Sequence, residues 1–177
     1  MKTYEMIKCA PPARCGTMGK TGLLSAAVVA TIITVASAAP LNATALPFNV
    51  TQNSMSSASA LAKQYHEQHT QLAGVRLCDH YVGVWYGRSS SGFNSANDHW
   101  KATPPSYKLS GGWKPGALAF WTNPSKAGHV AIGDEKLGNV YSTDYPTPLY
   151  VGHGSTDAIM SWLGSGYTFR GWYNPYF

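Results

Sequence analysis

Residues 74–88, GVRLCDHYVGVWYGR, decide how the chain is read. Cys78, Tyr81, Val82 and Trp85 stand at i, i+3, i+4 and i+7, which is one face of a helix. The β-branched and aromatic run YVGVWY suits a strand equally well, so the pattern alone leaves helix and strand both open. On the amino-terminal side, Ala58, Leu61, Ala62, Tyr65, His69 and Leu72 recur at helical spacing, with Lys63, Glu67 and Gln68 between them. An amphipathic helix is predicted over 56–72. On the other side, residues 88–112 are rich in Ser, Gly, Asn and Pro and read as a long surface loop carrying His99 and Trp100.

Beyond the loop the texture is that of a sheet. Trp113-Lys114-Pro115-Gly116 is a turn signal, and short apolar strands are predicted over 117–121 and 128–133. A turn over 134–138 leads into a strand over 139–144, which makes a hairpin. A further strand is expected over 148–151, a short helix over 157–163 with Asp157 as its cap, and a closing strand over 166–173. Helices followed by short antiparallel strands define an α+β domain. No internal repeat is visible.

The chain has 177 residues, enough for one domain, and 12% aromatic content provides for a packed core. Its formal charge is +5, but the excess is concentrated at the amino terminus. Lys2, Lys8, Arg14 and Lys20 face only Glu5 in residues 1–38, and nine Lys/Arg face seven Asp/Glu in the rest. No basic stripe remains to track phosphates, so nucleic acid is not an expected partner. Residues 1–38 read as an export signal: a basic start, an apolar segment, and Ala36-Ser37-Ala38 as a small-x-small cleavage pattern. The uncharged segment is also long enough for an uncleaved signal anchor, which would tether the chain to a membrane. Either way the positive flank stays in the cytoplasm and the remainder is sent outside. Residues 39–54 read as a linker, with sequons at Asn42 and Asn49, and residues 55–177 as the domain.

Loss of the leader removes Cys9 and Cys15 and leaves Cys78 without a disulfide partner. A lone cysteine is either a small buried apolar residue or a reactive thiol. If Cys78 opens a helix, the unpaired N–H groups and the dipole favour its thiolate. The activating histidine has to come from elsewhere. His66 and His69 read as solvated helix surface. His80 is expected to point away from the cysteine, and His99 and His153 to lie exposed in loops. His129 stands apart, in a short apolar strand directly after a glycine. A core role and a catalytic role are equally open to it on composition.

Three blocks in order tip that balance: C-x-x-Y-V-x-x-x-Y-G from Cys78 to Gly87, W-x-P-G-A-L-x-F-W from Trp113 to Trp121, and G-H-V-A-I from Gly128 to Ile132. Together they resemble the NlpC/P60 and CHAP superfamily, papain-like cysteine peptidases and amidases of bacterial peptidoglycan. The resemblance covers roughly 55–177, and the S-T-D and G-W-Y-N-P segments are similar to small exported actinobacterial members. It implies a helix opening with the nucleophile Cys78, packed on an antiparallel sheet that carries the general base His129. It also implies a polar residue on the following strand to orient the imidazole: Asp144 first, as a carboxylate, and Ser142 second. Strand alternation puts those two on one face, although a short hairpin could bring Thr143 opposite instead. The mechanism implied is attack by a Cys78 thiolate on an amide carbonyl, with His129 protonating the leaving amine and then activating water. The expected partner is peptidoglycan or its stem peptides, with Trp85 and Trp100 as candidates to line the groove. A monomer is expected, secreted or wall-associated, without metal or cofactor. A domain of the same fold that only binds wall glycans is the alternative, and acyl transfer a remoter one.

Overall fold

A computed structural model of the chain describes residues 51–177. The leader 1–38 with Cys9 and Cys15, both sequons and the linker up to residue 50 lie outside the described residues. The ambiguous stretch is helical: α2 runs from Cys78 to Trp85. Leu77 supplies no side-chain cap, so tertiary packing rather than local capping holds the helix in place. Val82 and Trp85, with Tyr86 just beyond, have no exposed surface. Gly83 is required by a close approach, because the backbone of Ser90 and Ser91 crosses where its Cβ would stand. A helix covered on most sides carries apolar residues on most sides, which is why its periodicity resembled a strand's.

The first helix, α1 (Met55–Glu67), is capped by the Ser54 hydroxyl, which accepts from Ser57 N–H at 3.2 Å. It buries Ala58 and Ala62, and its Ser59 hydroxyl donates to the Gly133 carbonyl at 2.7 Å. It stops short of the predicted residue 72. His69 takes a left-handed φ of 49°, and Leu72 reaches the core from a loop, its N–H donating to the Leu149 carbonyl at 2.8 Å. The region read as a long loop contains α3 (Ala96–Ala102) and a 3-10 turn at Pro105–Tyr107. The start signal for α3 is Ser95-x-x-Asp98: the Ser95 oxygen accepts from Asp98 N–H at 3.1 Å and its hydroxyl donates to the Asp98 carboxylate at 2.7 Å.

Five strands follow: β1 (Leu118–Thr122), β2 (His129–Gly133), β3 (Asn139–Thr143), β4 (Val151–Ser155) and β5 (Thr168–Tyr173). They form one antiparallel sheet in the order β4-β3-β2-β1-β5. The fourth strand lies beyond the predicted 148–151. The helix after it, α4 (Thr156–Leu163), is capped by Ser155 rather than Asp157. Both faces of the sheet are covered. Leu118, Phe120, Val130, Ile132, Tyr141 and Val151 meet α1, α2 and α3 on one side. Ala119, Trp121, Ala131 and Val140 pack with Ile159 of α4 on the other. The architecture is therefore α+β, and its central strands read as unbroken apolar runs because neither face sees water. Among the described residues no helix is long and apolar enough to cross a membrane.

Candidate active site

Cys78 is the first residue of α2 and one wall of a cleft of about 880 Å³. It is the free cysteine among the described residues and is 8% exposed. Burial pushes its thiol up to about 12. Backbone hydrogen bonds from Val130 and Asp79 act the other way, and the Asp79 and Asp144 charges add to the rise. The helix start alone therefore does not make a resting thiolate, contrary to the expectation from sequence.

His129 opens β2 and lines the same cleft. Its neighbour Val130 faces α2 with the first core layer, and strand alternation turns the His129 ring toward the α4 side of the sheet. There it packs against Trp121 at 5.9 Å and Trp162 at 5.7 Å between ring centroids. Cys78 and His129 thus share one end of the sheet, across the start of β2. No hydrogen bond joins the sulfur to the ring among the described residues. Burial lowers the imidazole to about 4, so thiol and ring are both neutral at pH 7.

The ring nitrogen Nε2 lies 2.7 Å from the Ser142 hydroxyl. That hydroxyl donates to the Thr143 carbonyl at 3.3 Å. Nε2 then carries the ring proton and donates to Ser142, which leaves a lone pair on Nδ1. Ser142 is completely buried, so one face of the histidine is fixed and the other nitrogen is free to take a proton.

Asp144, the expected orienting residue, does something else. It lies just past the end of β3 with a left-handed φ of 63°, which breaks the strand alternation that would have aligned it with Ser142. Its Oδ2 accepts from Arg76 N–H at 2.7 Å and its Oδ1 from Leu149 N–H at 2.9 Å. Asp144 lines the cleft, but it clasps the segment before α2 to the β3–β4 loop and does not touch the imidazole. Thr143 is buried without a partner for its hydroxyl.

The two expected groove tryptophans lie elsewhere. Trp85 is two helical turns, roughly 10 Å, along the axis from Cys78, and it is fully buried beside Tyr65 and Tyr81. Trp100 is half-buried, donating to the Tyr173 hydroxyl at 3.0 Å under the Arg170 guanidinium. The tryptophan in the cleft is Trp162, 41% exposed on α4. His80 also lines the cleft, although a helix was expected to turn it away. The spacing from Cys78 placed it off the cysteine's own face but not off the cleft mouth.

Two further groups escaped the sequence. Asn97 clamps the turn that leads into His129. Its Nδ2 donates to the Asn123 and Lys126 carbonyls, both at 2.7 Å, and its Oδ1 accepts from Asn123 N–H at 3.2 Å. Gly128, at a φ of 78°, passes directly against the Asn97 side chain. The second is a buried pair at Asp79, the residue after Cys78. His99, expected in an exposed loop, has no exposed surface. Its Nδ1 is 2.7 Å from Asp79 Oδ1, and its Nε2 is 2.6 Å from the Tyr176 carbonyl. The Ser91 hydroxyl donates to the other Asp79 oxygen. Both ring nitrogens are thus taken up by oxygen partners, and neither is left for Cys78.

The remaining histidines are also accounted for. His66 is half-buried, its Nδ1 donating to the Val151 carbonyl at 2.8 Å. His153 lies on β4, its Nε2 2.8 Å from Asp134 Oδ2, while His69 is exposed. Among the described residues no group of His, Cys, Asp or Glu side chains is arranged to hold a metal ion. Comparison with protein-family models, with curated proteins and with solved structures finds no match.

Proposed function

We propose that this chain is an exported cysteine hydrolase of the papain-like NlpC/P60–CHAP type, which cleaves amide bonds in peptidoglycan. One observation carries the reading: a cysteine at the first turn of a buried helix and a histidine with one nitrogen anchored by a buried hydroxyl line the same cleft. A helix on an antiparallel sheet whose strands carry the histidine and its anchor agrees with such a fold, and the apolar leader with an extracytoplasmic target.

In this reading Cys78 attacks the amide carbonyl as its proton passes to Nδ1 of His129. Because the resting pair is neutral, proton transfer accompanies attack. The ring closes on the sulfur when substrate fills the cleft and expels water. His129 then protonates the leaving amine, and water, deprotonated by the same nitrogen, releases the acyl group from sulfur. Ser142 accepts from Nε2–H throughout and steadies the imidazolium. The Cys78 backbone N–H at the start of α2 faces the developing oxyanion.

A second reading has a specific observation behind it. A thiol raised by burial and not bonded to the imidazole is what a domain that only binds wall fragments would show. Digestion of purified peptidoglycan by the purified protein separates the two, with new amino and carboxyl ends followed by mass spectrometry. The hydrolase reading expects paired new ends from the wild type and none from Cys78→Ala. Binding without new ends, or equal release by Cys78→Ala, overturns it.

A further inference from the structure

We propose that the cleft carries a carboxylate-recognition subsite formed by Arg76 and Lys126 of its lining, so that its ligand is a peptide with a free carboxylate beside the bound amide. This deepens the hydrolase reading by naming the substrate class, and it applies equally to a cleft that only binds.

The argument starts from charge. Arg76 and Lys126 both line the cleft, and among the described residues neither forms an ion pair. The acidic side chains there are already engaged. Asp79 is bonded to His99 and Ser91, and both oxygens of Asp144 accept backbone N–H groups. What the cleft offers an incoming ligand is therefore two cations outside any ion pair, with the Asp144 carboxylate turned to backbone N–H groups.

The cations share the cleft with one aromatic side chain, Tyr167. The Lys126 ammonium lies 5.4 Å from the centre of the Tyr167 ring. Burial holds the Tyr167 phenol above its ordinary value, the Cys78 sulfur adds to that, and the Arg76 guanidinium pulls the other way. Arg76 stands two residues before Cys78 and Lys126 three before His129, and all four line the one cleft with Tyr167, which puts the cations beside the Cys78–His129 end of it.

Both cations sit on fixed backbone. Arg76 has a left-handed φ of 62°, a conformation that costs a side-chain-bearing residue energy and persists only where its surroundings impose it. The Asp144 carboxylate imposes it through the 2.7 Å bond to Arg76 N–H. Lys126 belongs to the turn that Asn97 clamps through the Lys126 carbonyl at 2.7 Å. Around them Phe93, Trp162 and Leu163 supply apolar wall, where a charge-assisted hydrogen bond is worth more than in open water.

The test is titration calorimetry of the Cys78→Ala protein, which leaves the ligand intact, with two probes. These are L-alanyl-γ-D-glutamyl-L-lysine amide, whose single free carboxylate is the glutamyl α-carboxylate beside the γ-amide, and the same peptide with that group as its carboxamide, which has no carboxylate. The acid should bind at least about tenfold more tightly, and the gap should shrink with added salt. Arg76→Gln and Lys126→Gln should each narrow it and together erase it, with the carboxamide's affinity little changed. Equal affinity for the two probes, no binding of either, or a preference that survives in the double variant overturns the subsite. Acid-selective binding by a protein that never cleaves peptidoglycan would sink the hydrolase reading and leave the subsite standing. Cleavage indifferent to the carboxylate would do the reverse.

Discussion

At the α2–α3 junction His99 is sealed from solvent with both nitrogens bonded, one to Asp79 and one to the Tyr176 carbonyl. At the start of β2, His129 is nearly as buried, but only one of its nitrogens is bonded, to a neutral hydroxyl. The first is tied to Asp79, next to Cys78 in α2, and the second lines the cleft with Cys78. One is held at both nitrogens and binds α2, α3 and the carboxyl-terminal segment together. The other is neutral, and its free lone pair belongs to a ring that lines the cleft. Burial alone therefore does not tell the two rings apart. The number of nitrogens left unbonded does.

Removing each ring should separate the roles. His129→Ala should lower the rate of peptidoglycan cleavage about 10²–10⁴-fold, the range of a lost general acid–base, while the protein still unfolds cooperatively. His99→Ala leaves the Asp79 carboxylate buried without its imidazole partner and should cost about 3–5 kcal/mol of stability. Urea unfolding and cleavage assays on both variants check this. If His99→Ala is as stable as the wild type and His129→Ala as active, the contrast fails.

The same contrast explains what could be read from the sequence. The sheet strands were legible because Val130, Ala131 and Ile132 form an apolar run between turn signals, and both faces are in fact covered. Cys78 and His129 were legible as chemistry-bearing types in unusual apolar settings. Asn97 and His99 were not, because each works through contacts made only in the folded chain, across a stretch whose Ser, Gly and Asn content looks like loop. The Ser95-x-x-Asp98 cap was the available signal for α3. Asp144 was misplaced for a local reason: alternation holds along β3 but stops where φ becomes positive, one residue too early. Trp85 departs from its expected place because the helical face it shares with Cys78 is core and not cleft.

Acid sharpens the comparison further, since burial holds the half-bonded ring neutral. His129 falls to about 4 in the folded protein from 6.5. A folded value below the unfolded one means that the unfolded chain binds the extra proton between those two pH values. Its contribution is thus complete above about 6.5 and lost as pH falls toward 4, by ~3 kcal/mol. Urea midpoints at pH 7 and pH 4 should show His129→Gln losing less on acidification than the wild type, by about that amount. An unchanged acid loss would mean that the ring is not buried as a neutral group.

The smallest effects decide between Ser142 and Asp144 as the partner of His129. Ser142→Ala leaves the Nε2–H without an acceptor inside the protein and should cost about 1–3 kcal/mol. It should also move the pH dependence of cleavage, because the hydroxyl's lone pair no longer meets the ring when His129 takes up its proton. Asp144→Ala frees two backbone N–H groups at a half-buried cleft mouth, where water can replace the carboxylate. Its stability cost should be nearer about 1 kcal/mol, with the pH profile of cleavage unmoved. Pairing each melting curve with a pH–rate profile keeps orientation of the ring apart from clasping of the loops. A profile shifted by Asp144→Ala and not by Ser142→Ala would return the orienting role to the carboxylate. The single bond seen at Nε2 would then be a resting contact that gives way when the cleft is filled.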